Sequence, residues 1–131
     1  LLMMQKEVAE RIVANPNSKQ YGILSVQSQL MATPTILFDV PPQVFSPPPK
    51  VNSSVIRLLF DKPPLLCKDE NLKTIVRMAF NQRRKKLSNA LKRLNAELPE
   101  DIFNFNLRAE AISPDGYEKM TAHFEQLGTF G

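Results

Sequence analysis

The stretch from Val40 to Val51, which reads VPPQVFSPPPKV, constrains the fold of this chain more than any other. Proline has no backbone N–H and a fixed φ, so a run with five prolines does not pair as a central strand. The residue before each proline is also driven toward extended geometry, which makes the run a stiff loop. Strand-forming residues flank it, Thr35–Val40 before and Ser53–Phe60 after. We therefore predict two antiparallel neighbouring strands whose connecting loop presents one aromatic side chain, Phe45.

Two other interpretations of this loop stay open. A proline-rich segment can be a linker or a polyproline II ligand for another domain. Ligands of that kind usually lie in polar, disordered surroundings, whereas this run lies between apolar strands. Phe45 taken alone is equally consistent with a core residue packed beneath the loop.

The composition excludes several classes of protein. No apolar run approaches the ~20 residues that span a bilayer, and no secretion signal is recognisable. Cys67 and His123 are the only residues of their kinds, which excludes an internal disulfide and a Cys/His zinc site, and we expect no metal. The single thiol fits a reducing cytoplasm. The four glycines are isolated from one another, so they form no nucleotide-binding loop.

The first 60 residues are predicted to be the end of an α/β sheet. The run Leu1–Met4 is continuously apolar, as in a parallel strand with both faces covered. Such a strand needs neighbours that the following residues do not supply, so we expect the chain to be the C-terminal part of a larger protein. The elements predicted after it are helices at Lys6–Ala14 and Tyr21–Met31 and strands at Thr35–Val40 and Ser53–Phe60.

Residues 61–131 are predicted to form a small all-α domain, because no convincing strand follows the segment Asp61–Lys68. One amphipathic helix carries its apolar stripe on Leu72, Ile75, Val76, Ala79 and Phe80. A further helix is indicated by Leu87, Ala90, Leu91 and Leu94. Pro99 opens a short turn or helix through Phe103. The last helix starts at Ser113–Pro114, buries Tyr117, Met120, Phe124 and Leu127, and ends at Gly128.

Basic residues are concentrated between Asn71 and Ala96, where eight occur without one acidic residue. A solvated helix face normally mixes both signs, because i,i+4 pairs then stabilise it. Charge of a single sign on one element is instead typical of a surface that contacts a nucleic-acid backbone. The candidate phosphate-binding residues are Arg77, Arg83, Arg84, Lys85 and Lys86.

The chain resembles the KsgA/RsmA family of ribosomal RNA small-subunit adenine dimethyltransferases. The matching segments, in the family's order and spacing, are QKEVAER (5–11), SKQYGILSV (18–26), VPPQVFSPPPKVNSSV (40–55), AFNQRRKK (79–86) and RAEAIS (108–113). The proline motif alone would also admit related methyltransferases that act on large-subunit RNA. The QRRK and RAE segments favour the small-subunit enzyme.

The resemblance implies a function that the chain would share with the rest of a larger enzyme. The family transfers methyl groups from S-adenosylmethionine to N6 of two adjacent adenines near the 3′ end of small-subunit rRNA, within the 30S ribosomal particle. By resemblance, residues 1–60 are the C-terminal part of a Rossmann-like methyltransferase domain, in which Leu1–Gln5, Thr35–Val40 and Ser53–Phe60 are the fifth to seventh strands. Phe45 matches the aromatic that stacks on the flipped-out adenine, and Arg83, Arg84 and Lys85 match the basic cluster that holds the small subunit.

The family's S-adenosylmethionine loop and its Asn-x-Pro-Tyr-type motif are not found in these residues and would precede Leu1. We therefore expect this portion to supply base stacking and rRNA binding but to be inactive alone. Two other hypotheses stay open: a stand-alone RNA-binding or ribosome-assembly module, and a helix-turn-helix DNA reader. The DNA hypothesis ranks last, because the charges cluster at a helix start and do not follow one exposed helix face.

Overall fold

The computed structural model describes residues 1–44, 47, 50–94 and 97–130. Within these ranges the strands are β1 (Leu2–Gln5), β2 (Thr33–Val40) and β3 (Ser53–Leu59). The α-helices are α1 (Lys6–Val13), α2 (Ile23–Met31), α3 (Asp69–Asn81), α4 (Leu87–Ala90) and α5 (Pro114–Gln126). Short 3₁₀ turns occur at Pro42–Val44, Lys92–Leu94 and Ala109–Ala111.

The three strands form one sheet in the order β1-β3-β2. β3 is antiparallel to both neighbours, and Ile56 lies opposite Leu2 on one side and Ile36 on the other. The prediction that the last two strands pair antiparallel is therefore confirmed. A bulge between Ile36 and Phe38 shifts the register of β2 against β3.

One face of this sheet is covered and the other is open. α1 and α2 pack on β2, and Ser54 and Ile56 of β3 are fully buried. Arg57 and Leu59, whose side chains point to the opposite face, are exposed. Leu2 and Met3 are also more than half exposed, at 52% and 55%. The described residues therefore cover β1 incompletely, because α1 and α2 lie on one face of the sheet only.

One buried hydrophobic cluster of the described residues extends across the predicted boundary at residue 60. Tyr21 and Val26, which precede it, belong to the same buried cluster as Ile75, Leu87 and Tyr117, which follow it. Helix α2 packs on both α3 and α5. The division into 1–60 and 61–131 stays a prediction, and the two parts share their core in this structure.

The periodicity predicted for α3 is confirmed, since Leu72, Ile75, Val76 and Ala79 are buried. The helix predicted through Leu94 is shorter than expected. It ends at Ala90, and the chain then tightens into the 3₁₀ turn Lys92–Leu94. The first N–H groups of α4 donate to carbonyls of a distant segment, Leu87 to Leu107 and Ser88 to Phe105.

The last helix follows its predicted signals at both ends. The Ser113 hydroxyl accepts a hydrogen bond from the Gly116 N–H at 3.0 Å, and Pro114 occupies the first turn. Gly128 has a φ of 76°, which suits the residue that terminates a helix. Leu127 was predicted to be buried and is 54% exposed, because the helix ends at Gln126. Met31, at the end of α2, is likewise exposed.

Two glutamates of α5 hold the segment that leads into α3. The Glu118 carboxylate accepts the Leu66 N–H at 3.1 Å, and the Glu125 carboxylate accepts the Lys68 N–H at 2.9 Å and the Asn71 amide at 2.6 Å. The hydrogen bond from Asn71, followed by that from Lys68, lowers the pKa of Glu125 below its ordinary value. Burial, with the nearby glutamates, raises the pKa of the Cys67 thiol to about 11, so Cys67 is a packed thiol.

We expect Glu125→Gln to destabilise the protein by ~1 kcal/mol at pH 7, through weakened hydrogen bonds to Lys68 and Asn71. Because the folded-state pKa of Glu125 is lowered, the ionised carboxylate stabilises the folded protein fully above its unfolded-state pKa of about 4.3. This stabilisation is lost as pH falls through the folded-state pKa. Urea denaturation from pH 7 to pH 3 should therefore show the difference from the unsubstituted protein disappearing in acid. Glu100→Gln, at an exposed position, is the control and should behave like the unsubstituted protein at every pH.

Candidate RNA-binding surface

The basic turn, defined here as residues Arg83–Lys86, connects the end of α3 to the start of α4. Its backbone folds back on itself, with the Lys85 N–H donating to the Gln82 carbonyl at 2.9 Å. Arg84, Lys85 and Lys86 are exposed. Among the described residues, none of these three side chains forms an ion pair. The turn therefore presents three uncompensated positive charges to solvent.

Arg83 differs from the three residues that follow it. Its guanidinium donates to the Tyr21 carbonyl at 2.7 Å and pairs with the Glu110 carboxylate at 3.4 Å. The guanidinium carbon also lies 5.7 Å from the centroid of the Phe80 ring. Of the four predicted phosphate contacts in the basic turn, Arg83 thus points toward the protein, and Arg84, Lys85 and Lys86 point outward.

Arg77 extends the positive surface along α3. It is exposed one helical turn after Lys73, whose ammonium pairs with Asp69 at 2.9 Å. No such pair involves Arg77 within the part of the chain that the structure describes. Lys92 and Arg93 line a cleft of about 390 Å³ next to Gln82, so cations also flank the basic turn on the α4 side.

Arg108 is a neighbour of the basic turn that our sequence prediction missed. An isolated antiparallel bridge pairs its backbone with that of Lys86, and both side chains are exposed. The bridge lies next to the hydrogen bond that the Leu87 N–H donates to the Leu107 carbonyl at 2.8 Å. A basic residue at position 108 was visible in the sequence, but only the folded chain brings it beside Lys86.

A cleft of about 490 Å³ lies beside the basic turn, between α1, the residues before α2 and the end of α3. Its walls include Arg11, Lys19, Phe80 and Arg83, and no acidic side chain is among the described residues that line it. Arg11 is paired with Glu7 at 2.8 Å, as expected for an i,i+4 pair on α1. The cleft is therefore electropositive chiefly through Lys19, since Arg11 and Arg83 already have acidic partners.

Phe45 lies outside the described residues, and its stacking role stays a prediction. The described residues around it agree with a connection between two strands, since β2 ends at Val40, the turn Pro42–Val44 follows and β3 begins at Ser53. Val44 and Val51, on either side, are exposed at 64% and 48%.

The described residues do not fit an S-adenosylmethionine site of the strand–glycine-rich loop–helix type. β1 runs directly into α1 at Lys6 without an intervening loop. Gly22, Gly116 and Gly128 are separated along the chain and serve helix ends. No cluster of three or more potential metal ligands occurs among the described residues. None of the described helices combines the length and apolarity needed to cross a bilayer.

A model of the family described as "Ribosomal RNA adenine dimethylase" matches residues 1–127. The chain belongs to this family. The resemblance deduced from the sequence motifs is thus confirmed at the level of the family.

Relatives within the family support the assignment. Ribosomal RNA small subunit methyltransferase A from Salinibacter ruber is 49% identical, with 95% of this chain and 44% of the relative covered. The protein of the same name from Caldanaerobacter subterraneus is 50% identical, with 86% and 42% covered. The chain therefore spans less than half the length of these curated relatives.

Solved structures share the fold. A dimethyladenosine transferase from Plasmodium falciparum superposes with a TM-score of 0.87 at 24% identity, covering 97% of this chain and 57% of the other. The 23S rRNA methyltransferase ErmE gives a TM-score of 0.58 at 20% identity, covering 95% and 53%. At these identities the likeness concerns the fold alone, which is α/β and methyltransferase-like.

Proposed function

We propose that this chain is the RNA-facing portion of an S-adenosylmethionine-dependent small-subunit rRNA adenine dimethyltransferase. In this proposal residues 1–60 are the C-terminal part of a Rossmann-like domain, and residues 61–131 are a small helical RNA-binding domain. Its partners are small-subunit rRNA and the 30S particle in the cytoplasm. The homologues named as small-subunit rRNA methyltransferases support the proposal.

The observation that carries the RNA-binding part is the exposure of Arg84, Lys85 and Lys86 without acidic partners among the described residues. Long cationic side chains held on one tight turn can follow successive phosphates of a nucleic-acid backbone. Arg77 and Arg108 lengthen this surface on either side. Such contacts give affinity and register but carry little sequence information.

Phe45 is proposed to contact the target base. An enzyme that modifies the exocyclic nitrogen of an adenine must take the base out of its stack, and an aromatic side chain replaces part of the lost stacking. Stacking of one base on an aromatic side chain is worth ~1–3 kcal/mol. The rigid proline flanks would keep the ring in place while the base enters.

The methyl donor is proposed to be held by residues outside this chain, since the described residues do not fit its site. S-adenosylmethionine carries its own electrophilic methyl group, so the protein supplies binding and orientation. In this proposal the residues of this chain hold the RNA and position the base, and they carry out no transfer step themselves.

The proposal is tested by mixing the purified chain with an RNA hairpin from the 3′ end of small-subunit rRNA and radiolabelled S-adenosylmethionine. We expect binding whose log–log salt slope is about −3 to −5, as for about five phosphate contacts, and no transfer of label. A slope near zero would remove the RNA-binding proposal. Label in the RNA would refute the proposed absence of activity.

Recognition of a DNA groove is disfavoured by the geometry. The helix that follows the basic turn, α4, is one turn long and ends at Ala90. A helix-turn-helix protein places a longer recognition helix in the major groove. The charges here lie on a turn, which suits backbone phosphates better than base edges.

A further inference from the structure

Arg83 sits where three separate segments of the chain meet. Its guanidinium contacts the carbonyls of Ser18, Lys19 and Tyr21, just before α2, at 3.4, 3.4 and 2.7 Å. It also contacts the Glu110 carboxylate, in the turn before α5, at 3.4 Å. The backbone of Arg83 itself follows α3. One side chain therefore connects the residues before α2, the end of α3 and the turn before α5.

The same segments are joined independently around it. The Asn17 N–H donates to the Glu110 carbonyl at 2.8 Å, and the Tyr21 hydroxyl donates to the Ile112 carbonyl at 2.5 Å. Tyr21 is fully buried, and burial raises the pKa of its hydroxyl above the ordinary range, so it remains a donor. Arg83 therefore completes a junction between the sheet-bearing part and the helical part.

An arginine in this setting is poorly suited to a phosphate contact. Its planar fork is occupied by several acceptors, and its charge is balanced by Glu110. A phosphate would have to displace these partners and leave the Tyr21 carbonyl without its donor. Arg84 and Lys85 have no such competing contacts among the described residues.

We propose that Arg83 is a positioning residue, which fixes the orientation of the basic turn relative to the sheet that carries the Phe45 loop. The inference rests on the proposed function, because it is the simultaneous contact of both parts with one RNA that requires a fixed orientation. Arg84, Lys85 and Lys86 then bind phosphates, and Arg83 acts through them.

The salt dependence of RNA binding separates the two roles. Arg83→Ala should weaken binding of the rRNA hairpin about 2- to 30-fold, the range typical of residues that act through coupling, and leave the salt slope unchanged. Arg84→Ala should reduce the magnitude of the slope by about 0.7–0.9, as one lost phosphate contact does. A similar reduction with Arg83→Ala would overturn the proposal. Arg83→Lys keeps the charge but lacks the fork, so we expect it not to restore affinity; full restoration would also overturn the proposal.

Orientation is measured directly, without RNA, by spin-label distances between α2 and α3. The labels are placed by Met31→Cys and Thr74→Cys, both at exposed positions, in a Cys67→Ser background. We expect Arg83→Lys to broaden the distance distribution and Arg84→Lys to leave it narrow. Identical narrow distributions for Arg83→Lys and Arg84→Lys would overturn the positioning role, whether or not the unsubstituted chain binds RNA. Failure of the unsubstituted chain to bind RNA would count against the proposed function alone.

Discussion

Replacing Arg84, Lys85 and Lys86 together by alanine is expected to weaken binding of the rRNA hairpin by about 100- to 500-fold at ~0.1 M salt. Each lost phosphate contact removes about 0.7–0.9 from the magnitude of the log–log slope. Between a reference at ~1 M salt and ~0.1 M salt, each such contact therefore corresponds to about five- to eightfold in affinity. The measurement is a titration by fluorescence anisotropy at four or more salt concentrations. The fold should be retained, because all three side chains are exposed.

A second triple variant, which removes three cations elsewhere, is the control for the change in net charge alone. Arg57→Ala, Lys62→Ala and Lys119→Ala together make the same change, from +4 to +1, at exposed positions outside the proposed surface. We expect this control to lose only a few-fold in affinity, since charges more than a Debye length from the bound phosphates are largely screened. Equal losses for the two triple variants would show that the basic turn is no specific surface.

Much of the fold was predictable because its signals are local. Strand-forming residues on both sides of the proline run indicated β2 and β3, and the apolar stripe Leu72–Phe80 indicated α3. Ser113, Pro114 and Gly128 marked the ends of α5 through backbone requirements that act within a few residues. Family membership followed from segments spread over nearly the whole chain.

The features that were missed depend on contacts between residues distant in the sequence. Arg83 and Arg84 are adjacent and chemically identical, yet only Arg83 meets Glu110 and the residues before α2. The start of α4 docks on the segment around Leu107 through the N–H groups of Leu87 and Ser88. The placement of Arg108 beside Lys86 arises from the same docking. Periodicity carries no information on these pairings, because it reports only which face of an element is apolar.

Substituting Tyr117 is expected to destabilise the whole structure and not only its helical part. The Tyr117 ring is fully buried in the core that spans residue 60, and its hydroxyl donates to the Ala109 carbonyl at 2.6 Å. Tyr117→Ala removes a large aromatic group from this core and should cost ~3–5 kcal/mol. Tyr117→Phe keeps the ring but leaves the Ala109 carbonyl without its donor, which should cost ~1–3 kcal/mol. Thermal denaturation measures both losses, and Phe60→Ala, at a 73% exposed position, is the matched control with little expected effect.

Hydrogen exchange then decides whether the parts on either side of residue 60 unfold together. Because α2 packs on α5 and shares the core with Tyr117, Tyr117→Ala should reduce amide protection in β2 and β3 as well as in α3 and α5. Unchanged protection of the strands, with loss confined to the helices after Asp61, would mean that the sheet is stable without the helical part. The shared core would then be an interface between two independent units, and the orientation held by Arg83 would depend on far fewer contacts. Loss in both parts would instead place the Phe45 loop and the basic turn on one cooperative unit, as simultaneous contact with one RNA requires.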